Sequence, residues 1–115
     1  MQGAVVAMHG DLGSGKTTFV QGMVEGLGLE DQVTSPTFSL IHEYGRPPEL
    51  YHIDCYRETS LERWQQLGLD EYFNDNCITV IEWAENITPL LPGDAIHLTF
   101  SLGPTENKRI IEVQS

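Results

Sequence analysis

Gly10-Asp11-Leu12-Gly13-Ser14-Gly15-Lys16-Thr17 fills every fixed position of the pattern G-x-x-x-x-G-K-[ST]. These residue types at this spacing suit phosphate binding. The glycines permit positive φ angles and keep side chains out of the turn. Backbone N–H groups can then converge into an anion-binding nest. A helix opening near Lys16 would add unpaired N–H groups and the positive end of its dipole. Lys16 is placed to bridge the β- and γ-phosphates of a nucleoside triphosphate, and the Thr17 hydroxyl to ligate magnesium. The rival dinucleotide fingerprint G-x-G-x-x-G fails, because after Gly13-Ser14-Gly15 its third glycine position holds Thr18.

Such a loop also requires an acid at the end of a neighbouring strand to hold magnesium, directly or through water. Asp54 ends Leu50-Tyr51-His52-Ile53, and Glu82 ends Ile78-Thr79-Val80-Ile81. The second segment is more apolar and so more central, which favours Glu82 beside the loop. Thr34-Ser35-Pro36-Thr37-Phe38 could present hydroxyls near a γ-phosphate, although spacing alone slightly favours an ordinary turn. His52 and Asp54 share a strand face by period-two alternation. A catalytic pair there is weighed against a histidine packed at a strand end, and the packed histidine is favoured.

The elements that must position these residues follow from hydrophobic periodicity. Gly3 to His9 is a short, nearly continuous apolar run, as in a strand buried on both faces. A helix is expected from about Lys16 to Leu27, with Phe19, Val20, Met23, Val24 and Leu27 in one stripe and Gly28 ending it in a left-handed conformation. Residues 37–44 and 50–54 read as an antiparallel pair turned at Gly45 to Pro48. Thr59-Ser60-Leu61-Glu62 fits a capping box with Thr59 as N-cap, opening a short helix that carries Leu61, Trp64 and Leu67 inward and stops at Gly68. Cys77 to Glu82 is the most strand-like segment. Pro89 and Pro92 break the turn after it, and Ile96 to Phe100 and Arg109 to Val113 form two strands joined at Gly103-Pro104. This order predicts one α/β domain over residues 1–115, a P-loop NTPase-like three-layer fold whose mixed sheet has a parallel centre and antiparallel additions.

Composition narrows the function. Only six residues are basic, and the formal net charge is −11, so the body of the protein repels a phosphate backbone. No direct tRNA or other nucleic-acid binding is expected, and a role in an RNA process would run through protein partners. The apolar runs are far too short for a bilayer span, and the N-terminus lacks a signal-peptide pattern. The expectation is a cytoplasmic protein with no membrane attachment, whose two cysteines, Cys55 and Cys77, are free thiols.

Four ordered motifs resemble the TsaE (YjeE) family of bacterial ATPases, which serve the threonylcarbamoyladenosine modification of tRNA. They are Gly10 to Phe19, Ser35-Pro36-Thr37-Phe38, His52-Ile53-Asp54-Cys55-Tyr56-Arg57 and Ile81-Glu82-Trp83. The resemblance covers nearly the whole chain. It implies an ATP-binding fold with weak intrinsic hydrolysis, acting with the TsaB and TsaD transferase subunits. It also implies that Asp11, Leu12, Gly13, Ser14, Gly15, Lys16, Thr17 and Thr18 contact ATP, and that Thr17 and Glu82 bind Mg2+. Asp54 becomes the Walker-B-like acid, Ser35 to Thr37 a switch, and Trp83 and Arg109 neighbours of the nucleotide. Lys16, Asp54 and Glu82 carry the catalytic roles. Cys55 stands where the family usually has leucine, and the strand and helix that family members carry before the P-loop strand are expected to be missing.

Two other functions share the loop. A small-molecule or nucleotide kinase needs several arginines around the transferred group. Only Arg46, Arg57 and Arg63 precede Arg109, which argues against a rich lid. A non-hydrolysing, ATP-dependent partner-binding module is compatible with the sequence, because no residue is an unambiguous base for water attack. A GTPase is rejected, because Asn107-Lys108-Arg109-Ile110 lacks the acid that reads guanine.

Overall fold

The apolar run near the N-terminus becomes β1, Ala4–Gly10, whose centre Val6-Ala7-Met8 is buried. It is apolar up to Met8 because it has a strand on each side and a layer on each face. The computed structural model describes residues 4–10, 16–29, 41–45, 48–56, 58–73, 77–102 and 109–114, with Lys16, Thr17, Leu102 and Arg109 described by their backbone.

The other strands are β2 (Ile41–Tyr44), β3 (Leu50–Asp54), β4 (Ile78–Glu82), β5 (Ile96–Leu102) and β6 (Arg109–Gln114). They form one sheet in the order β2-β3-β4-β1-β5-β6. Strands β3, β4, β1 and β5 run parallel, while β2 and β6 pair antiparallel at the two edges. The hairpin between β2 and β3 is closed by the Glu49 N–H donating to the Tyr44 carbonyl at 2.9 Å. Only the last part of the strand expected over residues 37–44 falls within the described residues, and the expected turn at Gly103-Pro104 lies outside them.

Helix α1, Lys16–Gly26, lies on one face of the sheet. Its Val20 and Val24 are fully buried against Val6, Met8, Leu50, Val80, Leu98 and Phe100, with Phe19, Met23 and Leu27 half-buried beside them. The helix ends one residue before the expected Leu27. Gly28 has φ +77, its N–H donates to the Glu25 carbonyl at 3.0 Å, and Leu29 N–H donates to Val24 at 3.1 Å. This paired arrangement satisfies carbonyls that the helix end leaves open, and glycine takes the left-handed position at no steric cost.

The opposite face is covered by helix α2, Leu61–Gln66, and by 3-10 turns over Leu69–Tyr72 and Ala84–Leu90. Trp64, Leu69, Ala84 and Ile87 pack there on Ala7, Ile53 and Ile81 of the sheet. The expected N-cap is corrected from Thr59 to Ser60, whose Oγ accepts the Arg63 N–H at 3.2 Å. The Trp64 indole donates to the Glu58 carbonyl at 2.7 Å, which ties down the entering chain and starts the helix one residue later. The third helical position is then Arg63, so no carboxylate completes a capping box.

Candidate functional site

The parallel centre brings the C-terminal ends of β3, β4, β1 and β5 to one rim of the sheet, where ligands bind in open α/β folds. Gly10 closes β1 on that rim and Lys16 opens α1, so both anchors of the glycine-rich segment are fixed there. Gly10 has φ +129, and a Cβ at this position would lie 2.3 Å from the Phe100 carbonyl oxygen of β5. Only glycine satisfies both constraints. The residues between the anchors, Asp11, Leu12, Gly13, Ser14 and Gly15, lie outside the described residues, as do Ser35 and Thr37. Lys16 and Thr17 occupy the first two positions of α1, and Thr18 follows them on its exposed side.

The two acids stand side by side. Asp54 pairs in register with Glu82, and Glu82 with Met8, two residues before Gly10. Strand β4 thus separates β3 from β1 and puts Glu82 on the strand next to the loop. Their backbones are braced together, since Cys55 N–H donates to the Glu82 carbonyl at 3.0 Å and the Asn86 side-chain amide donates to the Cys55 carbonyl at 2.9 Å. Asp54 Oδ1 accepts the Tyr56 N–H at 2.9 Å, which fixes its carboxylate to the following turn.

Glu82 is buried and meets His52 Nε2 through Oε2 at 2.5 Å. His52 is itself fully buried, and among the described residues its Nδ1 has no hydrogen-bond partner. The sequence reading placed His52 beside Asp54 on one strand face. That shared face holds, and His52 is packed as favoured; its ring reaches diagonally to Glu82 of the neighbouring strand, since register sets His52 opposite Val80 and Asp54 opposite Glu82. On the other side of His52, the ring of His42 in β2 lies 6.5 Å away. Burial, then repulsion from His52, holds the His42 pKa below its usual 6.5.

Trp83 follows Glu82 with φ +57, a left-handed backbone that is rare for a bulky residue. That turn lays its ring 4.9 Å from Tyr56, at the same rim as the acids. Arg109 begins β6 opposite Leu102 at the end of β5, which puts its backbone at this rim as well. A second polar cluster, which sequence reasoning did not find, occupies the face opposite α1. His9 Nε2 and His97 Nδ1 are 3.0 Å apart with rings nearly parallel, and His9 Nδ1 meets Glu85 Oε1 at 3.3 Å.

The donors suit a hard cation. Among the described residues no group of three or more His, Cys, Asp or Glu side chains is arranged to hold a metal. Glu82 and Asp54 instead offer carboxylate oxygens at the rim where Gly10 ends β1. Magnesium is commonly held in this way, by one or two carboxylates together with substrate phosphates. Among the described residues no helix is long and apolar enough to cross a membrane.

Comparison with known proteins agrees with this geometry. A tRNA threonylcarbamoyladenosine biosynthesis protein TsaE from Bacillus subtilis is 42% identical over 110 residues, covering 94% of this chain and 68% of the relative. The Treponema pallidum protein of the same name is 38% identical over 109 residues, covering 95% of this chain and 81% of its own length. The crystal structure of Bacillus subtilis YdiB superposes with a TM-score of 0.74 at 36% identity, covering 97% of this chain and 68% of that one. The fold is thus α/β with a mixed sheet of the P-loop NTPase kind. The family model for the threonylcarbamoyl adenosine biosynthesis protein TsaE matches residues 1–111, and the chain belongs to the TsaE family.

Proposed function

We propose that this chain is a P-loop ATPase that binds ATP with Mg2+ and supports threonylcarbamoyladenosine modification of tRNA by acting on the TsaB/TsaD transferase complex. The supporting observation is the convergence at one rim of Gly10, the start of α1 and the Asp54–Glu82 pair. The relatives named for the tRNA threonylcarbamoyladenosine pathway extend that reading to the biological setting.

In this reading the backbone from Asp11 to Thr18 cradles the phosphates, and Lys16 bridges the β- and γ-phosphates. Thr17 and Glu82 hold magnesium, while Asp54, tied to Tyr56 N–H, acts as the second acid at the same mouth. Bound magnesium would neutralise phosphate charge and polarise the transferred group. Ser35 and Thr37 serve as a switch, and Trp83 and Arg109 border the nucleotide. RNA contact then falls to the partner subunits, a reading supported by the strong acidity of this chain.

Calorimetric titration with ATP and magnesium tests the site. Lys16→Ala and Thr17→Ala should each abolish binding or its magnesium dependence, and Glu82→Ala should impair magnesium-dependent turnover more than nucleotide affinity. Unchanged affinity in Lys16→Ala would refute the assignment. Turnover measured with and without TsaB and TsaD separates a working ATPase from a module that keeps ATP without hydrolysing it. A phosphorylated product formed from an added nucleoside would move the reading to a kinase.

A further inference from the structure

His52 is buried without any evident need for a histidine. Leu50 on its own strand and Val80 opposite are apolar and fully buried, while His42 of β2 lies on its other side. An imidazole there must be desolvated, and its Nδ1 has no hydrogen-bond partner among the described residues. An unsatisfied buried polar atom costs about 1–3 kcal/mol. Leucine or phenylalanine would fill the same space without that cost. What histidine adds is the 2.5 Å contact with Glu82.

The geometry gives that contact a use. Glu82 ends β4 beside β1, and a free glutamate at a strand end samples many rotamers. With Oε2 held by Nε2, fewer carboxylate orientations remain, which restricts the direction of its second oxygen. His52 is itself locked by register between β2 and β4, opposite His42 on one side and Val80 on the other. Asp54 is fixed by its own turn, whereas Glu82 is fixed by a side chain from the adjacent strand.

We propose that His52 is the positioning residue for the Glu82 carboxylate, holding it in the orientation that receives magnesium. The proposal rests on the nucleotide site set out above. An outer residue that orients a metal-binding carboxylate is commonly worth about 10–100-fold in metal affinity.

The test uses the whole chain and a non-hydrolysable ATP analogue, titrated calorimetrically in EDTA and then at rising Mg2+. His52→Phe fills the space and removes the donor. His52→Asn keeps an amide but is too short to reach Glu82, whereas His52→Gln returns an N–H near the Nε2 position. Phe and Asn should each raise the Mg2+ concentration needed for half-maximal tightening by about 10–100-fold, leave affinity in EDTA unchanged, and be rescued by Gln. In the Glu82→Gln background, His52→Phe should add nothing further. Phe and Asn give the same prediction independently, so failure of one to fold leaves the other decisive. A wild-type Mg2+ requirement in folded His52→Phe or His52→Asn overturns the proposal. So does an equal loss of affinity with and without Mg2+, which marks a purely structural role. Should neither fold, the wild type decides by NMR, because the His52 Nε2 proton must shift on adding Mg2+ to the analogue complex. No shift overturns the proposal. If the wild type itself showed no Mg2+-dependent binding, the nucleotide-site reading would fall rather than the role of His52 within it.

Discussion

Replacing Gly10 with alanine tests the link between the sheet and the proposed phosphate loop. The added Cβ would sit 2.3 Å from the Phe100 carbonyl oxygen and 3.2 Å from its Cβ, so β1 and β5 must move apart where they are hydrogen-bonded. The φ of +129 adds backbone strain of about 1–3 kcal/mol for a residue with a side chain. Overpacking a rigid neighbour adds about 1–3 kcal/mol more. A loss of about 3 kcal/mol in a domain of this size lowers the Tm by about 10 °C. The displacement also reaches α1, because the Phe100 ring packs edge-on against Phe19 at 5.5 Å. Nucleotide affinity should therefore fall together with stability. Gly22→Ala is the control, since Gly22 is an exposed position within α1 with nothing within 4 Å of an added Cβ. It should gain about 0.5–1 kcal/mol. Thermal unfolding by circular dichroism and calorimetric ATP titration measure both variants. A Gly10→Ala protein melting within about 2 °C of wild type and binding ATP normally would refute the reasoning.

Other perturbations have equally definite outcomes. Trp64→Ala removes a fully buried indole and its 2.7 Å donation to Glu58, and should cost about 3–5 kcal/mol in urea unfolding. Ser60→Ala should cost about 1 kcal/mol by loss of the N-cap, whereas Thr59→Ala should be nearly neutral in the same assay. Burial, with Asp54 and Glu85 nearby, pushes the Cys55 thiol from 9.0 up to about 12. The folded state holds that proton more tightly, so this contribution is complete below pH 9 and is lost as pH rises towards 12. Urea midpoints measured across that range should fall less steeply in Cys55→Ala, and iodoacetamide should label Cys55 at neutral pH only after unfolding.

Much of this fold is legible in the sequence because hydrophobic periodicity reports burial locally. The apolar run of β1, the stripe of α1 with its glycine stop, and the paired strands β2 and β3 all emerge from spacing alone. The 3-10 turns at Leu69–Tyr72 and Ala84–Leu90 do not, because they are too short to carry a helical period and Pro89 disguises the second. Lateral strand order is likewise unwritten in any single segment. The greater apolarity of Ile78–Ile81 pointed to β4 as the central neighbour of β1, and its place in the sheet agrees. The partners of His52 and His9 depend on register between strands 30 and 88 residues apart in sequence, for which local spacing holds no signal. Once β3 and β4 are known to be parallel neighbours, the shared parity of 52, 54, 80 and 82 would have found the first pair.

The acidity of the chain bears on how the site must work. A net charge of −11 and two adjacent carboxylates at the rim both oppose the approach of a triphosphate. The distant charges matter less, because salt screens them over about 8 Å. Asp54 and Glu82 stand at the rim where Gly10 ends β1, and in the proposed site screening would not remove their effect. In the proposed site, backbone N–H groups and Lys16 would offset the phosphate charge but leave the two carboxylates unbalanced. A divalent cation between acids and phosphates turns that repulsion into attraction on both sides. On the proposed reading, the same acids would penalise bare ATP and favour its magnesium complex. There the direction of Glu82 would matter as well as its charge, so the proposed positioning by His52 would bear on selection for the metal-bound ligand.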